Sequence, residues 1–220
     1  PAVSFNRGTP SHTGIERANM SNPHQPSEDP DPITRFVTSP DVNLRYLVGS
    51  KDRIRAYEAK YGLEFSESYV QFLSRENGLQ HTLDLETAAE RMPDEKLTAG
   101  WLAYVNVFFG IGNENPDLDL EILAPTMTFH DYEVTPFAHP IAIGEDATTM
   151  VEIQRGAHRG WIMLVQHDRV SNLRRRIARS RSVDEIVQQL MGLRYYTKLA
   201  NDFEELIMKY AQLVAPTVSR

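Results

Sequence analysis

The sequence predicts an α+β fold: a mostly antiparallel sheet flanked by N-terminal helices and closed by a C-terminal helix. Three observations carry that expectation. Two amphipathic helical stretches come early, at 51–61 and from Ser66 onward. Short apolar runs joined by tight turns follow between Tyr104 and Val165. Two capped helical stretches then close the chain. Helices that flank a run of hairpin-linked strands favour α+β over alternating βαβ units.

Seven of the thirteen prolines fall in the first forty residues, among Ser, Asn, His and Asp. Few apolar residues are there to bury, so residues 1–45 read as an extended, flexible arm and 46–215 as the domain. A chain that begins with Pro1 reads as incomplete or processed, with Met20 as a second candidate start. Ser50 N-caps the first helix, Ile54, Tyr57 and Tyr61 recur at helical spacing, and Gly62 stops it. Ser66 starts the second, which buries Tyr69, Val70, Phe72 and Leu73 and leaves through an Asn77-Gly78 turn. Pro93 ends a weaker helical turn over Thr87 to Met92.

Tyr104 to Phe109 is β-branched and aromatic, which predicts a central strand. Leu118 to Leu123 alternates acidic and apolar residues, the pattern of a half-exposed strand with its carboxylates outward. Strands are expected at 140–143, 149–154 and 161–165. An acidic turn (Glu145, Asp146) joins the first pair and a glycine turn (Gly156, Gly160) the second. The run Trp161 to Val165 is apolar on both faces. Ser182 and Glu185 form a capping box ahead of Val183, Ile186, Val187, Leu190 and Met191, and Gly192 ends that helix. The final helix is expected from Asn201, with Asp202, Glu204 and Glu205 at its positive end and Phe203, Leu206, Ile207 and Tyr210 as its apolar stripe.

Several of these pieces, in this order, resemble the SUKH superfamily, best known for immunity proteins that neutralise bacterial polymorphic toxins and related to eukaryotic cell-wall regulators. They are the helix ending near Gly62, Tyr69-x-x-Phe72-Leu73 running into Asn77-Gly78, and the strand Ile141-Ala142. A strand ending His167-Asp168 and a closing Ala200-x-x-Phe203-x-x-Leu206 complete the series, which spans roughly residues 50–213. The chain departs from the pattern at Phe65-Ser66, where the family commonly has a proline, and at Ala147-Thr148-Thr149, where it usually has glycines. About thirty further residues separate His167 from the last helix. The resemblance implies a SUKH-like fold and a binding protein without catalysis. Its partner would be a cognate toxin, such as a basic nuclease; the alternative is a non-catalytic regulatory scaffold of the same superfamily.

Composition sets independent bounds. With no cysteine, thiolate zinc sites are excluded, and a reducing compartment fits. Neither a signal peptide nor a membrane span is readable, so the expected compartment is the cytosol. The net charge of −7 is unevenly spread. Residues 113–146 hold eight carboxylates and no Lys or Arg, whereas 151–181 hold eight Arg against Glu152 and Asp168. An acidic stripe steers basic partners and repels nucleic acid.

Candidate chemistry is sparse. Adjacent residues on a strand point to opposite faces, so neither His130-Asp131 nor His167-Asp168 forms a dyad by itself. His130, His139, His158 and His167 lack a ligand spacing that fixes a metal. Asp117, Asp119 and Glu121 could share one strand face within reach of a cation, but an exposed edge kept soluble by charge is the favoured reading of the same residues. The basic run Arg174, Arg175, Arg176, Arg179 and Arg181 lacks the interleaved aromatics of a base-stacking site. Trp101 and Trp161 read as core. No catalytic, cofactor or metal residue is therefore expected, nor a nucleic-acid or membrane partner. The residues expected to meet a protein partner are Glu114, Asp117, Asp119 and Glu121, then Asp131 and Glu133, on their density of charge.

Overall fold

In the computed structural model, which describes residues 30–47, 49–115, 117–127, 137–144, 148–165 and 182–214, seven strands pair in chain order into one sheet. They are β1 (Val42–Leu47), β2 (Glu76–His81), β3 (Val107–Phe108), β4 (Ala138–Ile143), β5 (Thr149–Ile153), β6 (Ile162–Val165) and β7 (Tyr196–Ala200). Each runs antiparallel to its neighbour. The described helices are α1 (Pro32–Val37), α2 (Lys51–Tyr61), α3 (Glu67–Arg75), α4 (Leu85–Arg91), α5 (Lys96–Tyr104), α6 (Leu120–Met127), α7 (Val183–Gly192) and α8 (Phe203–Leu213). The α+β class with an antiparallel sheet is as the sequence predicts.

β6 shows why the sheet is covered on both sides. Ile162 and Leu164 join the larger core, while Met163 and Val165 join a second one with Val187 and Leu190 of α7. Alternate residues point to opposite faces, so an uninterrupted apolar strand must be buried twice. The larger core takes Ile54 and Tyr57 from α2, Phe72 and Leu73 from α3, Leu102 from α5 and Phe203 and Tyr210 from α8.

The caps read from sequence hold. Ser50 accepts the Arg53 N–H, Gly62 ends α2 at φ 64°, and Ser182 accepts the Glu185 N–H. Gly156 and Gly160, at φ 82° and 89°, turn β5 into β6. Three consecutive backbone N–H groups between α2 and α3 are latched by side-chain oxygens. Glu64 donates to Gln154 at 3.2 Å, Phe65 to Glu58 at 2.7 Å and Ser66 to Glu152 at 3.3 Å.

Four expectations are corrected. The flexible arm does not extend to 45: Asp31 caps α1, Pro32 opens it, and β1 pairs with β2. Proline at the first helical position starts a helix rather than preventing one. Phe36 is fully buried and stacks on Tyr210 at 4.7 Å. Asn77-Gly78 lies inside β2 and not in an exit turn. The strand expected over Tyr104 to Phe109 shrinks to β3, because α5 runs through Tyr104. The closing helix begins at Phe203 behind the N-cap Asp202, and β7 precedes it.

Truncating Phe36 to Ala should destabilise the protein by about 3 kcal/mol through the cavity left against Tyr210. Urea unfolding measures it, and deleting residues 1–45 should cost at least as much, since α1 and β1 go with it.

Two histidines are buried neutral. Burial lowers His139 to about 3 and His81 to about 4 from 6.5. Burial likewise raises Glu152 from 4.5 to about 6. The unfolded chain takes up the histidine protons first, so their contribution is full above pH 6.5 and is lost as pH falls towards 4 and 3. Each costs about 1.4 kcal/mol per pH unit over its window. Glu152 acts oppositely, because the folded state takes its proton first between pH 6 and 4.5. Stability should therefore fall from pH 6.5 downward, with Glu152 offsetting about one histidine between 6 and 4.5. Urea titrations of wild type and His139→Phe at pH 7 and 5 check this. The variant should lose the smaller amount on acidification, and an equal loss would contradict a buried neutral His139.

Candidate partner-binding surface

The acidic stretch folds as a loop that is built from within. It leaves β3 through Phe109, whose N–H donates to the Ile141 carbonyl at 3.0 Å. Gly110 lies so close to Asn77 that a Cβ would collide with the Asn77 carbonyl. Asn77 then clasps the next residue in both directions, accepting the Ile111 N–H at 2.7 Å and donating to the Ile111 carbonyl at 2.9 Å. The Asn113 amide donates to the Asn77 carbonyl at 2.7 Å. Asn115 donates to the Tyr46 hydroxyl at 2.6 Å and accepts the Asp117 N–H at 2.8 Å.

Asp119 is the centre of this loop. Its side chain is buried, with the residue 1 % exposed. Its carboxylate accepts N–H groups from Gly112 at 2.8 Å, Glu114 at 2.8 Å and Glu121 at 2.9 Å. Its own carbonyl receives the N–H groups of Ile122 and Leu123, so it stands as the residue that starts α6. Arg53 reaches over from α2, and its guanidinium donates to Glu121 at 2.6 and 2.9 Å. That contact holds the Arg53 guanidinium above its ordinary pKa.

The expected half-exposed strand at 118–123 is thus corrected to a loop entering a helix. An Asp followed two residues later by an acidic helical position is an N-terminal helix signal that alternation masked. Leu118 and Leu120 do face inward, but so does Asp119. Asp119 is a loop-building residue rather than a surface charge, and Glu121 is already ion-paired to Arg53. Glu114 and Asp117 are the exposed carboxylates of the loop, and neither makes a side-chain hydrogen bond or ion pair among the described residues. Glu114 sits at φ 66°, a left-handed conformation that costs a side-chain-bearing residue energy and that the Asp119 bond to its N–H holds in place.

Asp131 and Glu133 lie outside the described residues, as do His130, His167 and the arginines at 174–176, 179 and 181. Asn77 reads in the sequence as part of an exit turn rather than as a builder of this loop, and Arg53, Asn113 and Asn115 are not singled out there. The Asn-rich run from 113 to 115 was the available signal for the last two, since asparagine favours turns through its own backbone bonds. Trp161 is not pure core, because Lys198 Nζ lies 3.5 Å over its ring and His158 4.1 Å away. Trp101 is likewise half-buried, edge-on to Tyr104.

Among the described residues no helix is long and apolar enough to cross a membrane, and no group of three or more His, Asp or Glu could hold a metal ion. No protein-family model, curated protein or solved structure matches the chain.

Replacing Asp119 by Ala should destabilise the protein by about 3 kcal/mol, because three amides lose a charged acceptor together. Urea unfolding with hydrogen exchange at Gly112, Glu114 and Glu121 would show it. Wild-type protection at those amides in the variant would mean that the loop stands without the carboxylate.

Proposed function

We propose that this chain is a non-catalytic binding protein of the cytosol, an immunity protein that occludes a basic cognate toxin. The observation that supports this best is the rigid loop that presents Glu114 and Asp117 to solvent. A surface held in one conformation before binding loses little entropy on docking. Two unpaired carboxylates on a chain of net charge −7 also set up a field that steers a basic partner. The resemblance in the order of sequence pieces supplies the class of partner. The inhibitory step is steric: the loop and its sheet cover the toxin's working face and exclude its substrate.

The experiment is stopped-flow binding to the product of the gene adjacent to the one encoding this chain. The Glu114→Lys, Asp117→Lys double variant should associate at least about tenfold more slowly at low salt, with the melting temperature unchanged. The wild-type on-rate should fall as salt rises, because screening shortens the reach of the charges. An unchanged on-rate in the double variant removes the loop from the interface. If no adjacent gene product binds, the immunity reading fails and the regulatory scaffold takes its place.

A further inference from the structure

Arg53 is the cation paired with the acidic loop among the described residues, and it occupies a seat shaped for its guanidinium. Residues 113–146 contain no Lys or Arg, so the charge that meets Glu121 comes from α2. Arg53 Nε and Nη2 both donate to one oxygen, Glu121 Oε2, at 2.9 and 2.6 Å. The planar group lies over Gly112, where a Cβ would collide with Nε and Cζ. Gly112 also sits at φ 69°, so two separate constraints keep a side chain out of this position. Asp119 and Glu114 add to the negative field at the guanidinium. A seat with bare backbone on one side and a carboxylate at its edge fits a planar cation better than a compact ammonium.

Arg53 fills this seat incompletely. Both of its bonds fall on Oε2, and Oε1 accepts no hydrogen bond among the described residues. A guanidinium and a carboxylate pair best through two parallel bonds, one to each oxygen. The Arg53 side chain is 43 % exposed and that of Glu121 30 %, so water reaches the pair. Exposed ion pairs hold weakly. α2 also keeps its Ser50 cap and its buried Ile54 and Tyr57 when the Arg53 side chain leaves. A guanidinium from outside that took both oxygens would therefore outcompete Arg53 at little cost to the fold.

We infer that the loop reads arginine: a guanidinium of the partner protein displaces Arg53 from Glu121 and takes both carboxylate oxygens. The inference rests on the loop being the partner-binding surface, and it names the side chain that this surface selects. A lysine ammonium has no fork to span both oxygens and no flat face to lay on Gly112. Arg53 holds the seat in shape in the free chain and turns to solvent on docking. Steering by Glu114 and Asp117 answers to any positive charge, whereas the seat discriminates between arginine and lysine.

The test uses the full chain at low salt and two fluorescein-labelled probes, a hexa-arginine and a hexalysine peptide. Arg53→Lys keeps the net charge and removes the fork from the seat. It should bind hexa-arginine at least about threefold more tightly than wild type. Arg53→Ala should gain at least about tenfold over Lys51→Ala, which makes the same change in charge on the same helix. Neither Arg53 variant should gain as much for hexalysine. Adding Glu121→Gln to Arg53→Ala should remove the gain. If Arg53→Ala melts lower than wild type, Arg53→Lys alone decides. Unchanged or weaker hexa-arginine binding by an Arg53 variant that melts as wild type does would overturn the proposal and leave Arg53 as a builder of the loop. So would an equal gain for hexalysine, which would make the seat a plain charge effect. No cognate partner enters these measurements, so their failure is distinct from a failure of the immunity reading.

Discussion

Tyr210 sits where α1, α5, α8 and the sheet converge. Its ring stacks on Phe36 at 4.7 Å, meets Phe108 edge-on at 5.2 Å and His81 at 5.3 Å. Its hydroxyl lies 3.0 Å from the Leu102 carbonyl and 3.1 Å from that of Val105. Those carbonyls belong to the last turn of α5 and the residue just after it, where acceptors have no helical donor of their own. A buried phenol needs a partner and a buried helix end needs a donor, so each satisfies the other. The Val105 carbonyl also takes His81 Nε2 at 3.0 Å, which ties β2 to the same point. Fixing α5 there sets its rotation, with Ala99, Leu102 and Ala103 inward, Trp101 half-buried against the core and Leu97 outward. The exposure of Leu97 is therefore a consequence of how the core is closed.

The parts of this fold that could be read from sequence are those decided within a few residues. Caps at Ser50 and Ser182, the left-handed stop at Gly62 and the doubly apolar strand β6 each rest on a local rule. The misreadings share a different cause: tertiary partners that sequence does not show. α1 has six residues and would not hold alone, but Phe36 finds Tyr210 and Asp31 finds Arg75 at 3.0 Å. α5 was hidden by residues of mixed preference, Gly100, Trp101 and Tyr104, and is settled by its inner face. β7 is recognised only through pairing with β6, since Tyr196 to Ala200 contains Lys198 and Thr197 and lacks a clean alternation.

The acidic stretch shows the same limit at the candidate site. Counting carboxylates treats Asp117, Asp119 and Glu121 as equivalent, although three backbone amides take one of them and Arg53 takes another. Charge density singles out this loop but not the residue that shapes it. A buried carboxylate that accepts several N–H groups holds the loop in shape, and the exposed neighbours inherit that rigidity. Asn77, two strands of sequence away, contributes as much to the loop as any acidic residue in it, and nothing in its own surroundings announces the role.

Exposed charge works at a distance, so on the proposed reading Glu114 and Asp117 would raise the encounter rate with a basic partner and lose that effect as salt shortens the field. A partner held by these carboxylates alone would fall off readily at physiological ionic strength, since exposed ion pairs contribute little. Apolar contacts act only on touching and set the bound lifetime, and burying apolar surface does not depend on long-range fields. The ratio of salt effects on association and dissociation therefore separates steering by the loop from holding by it.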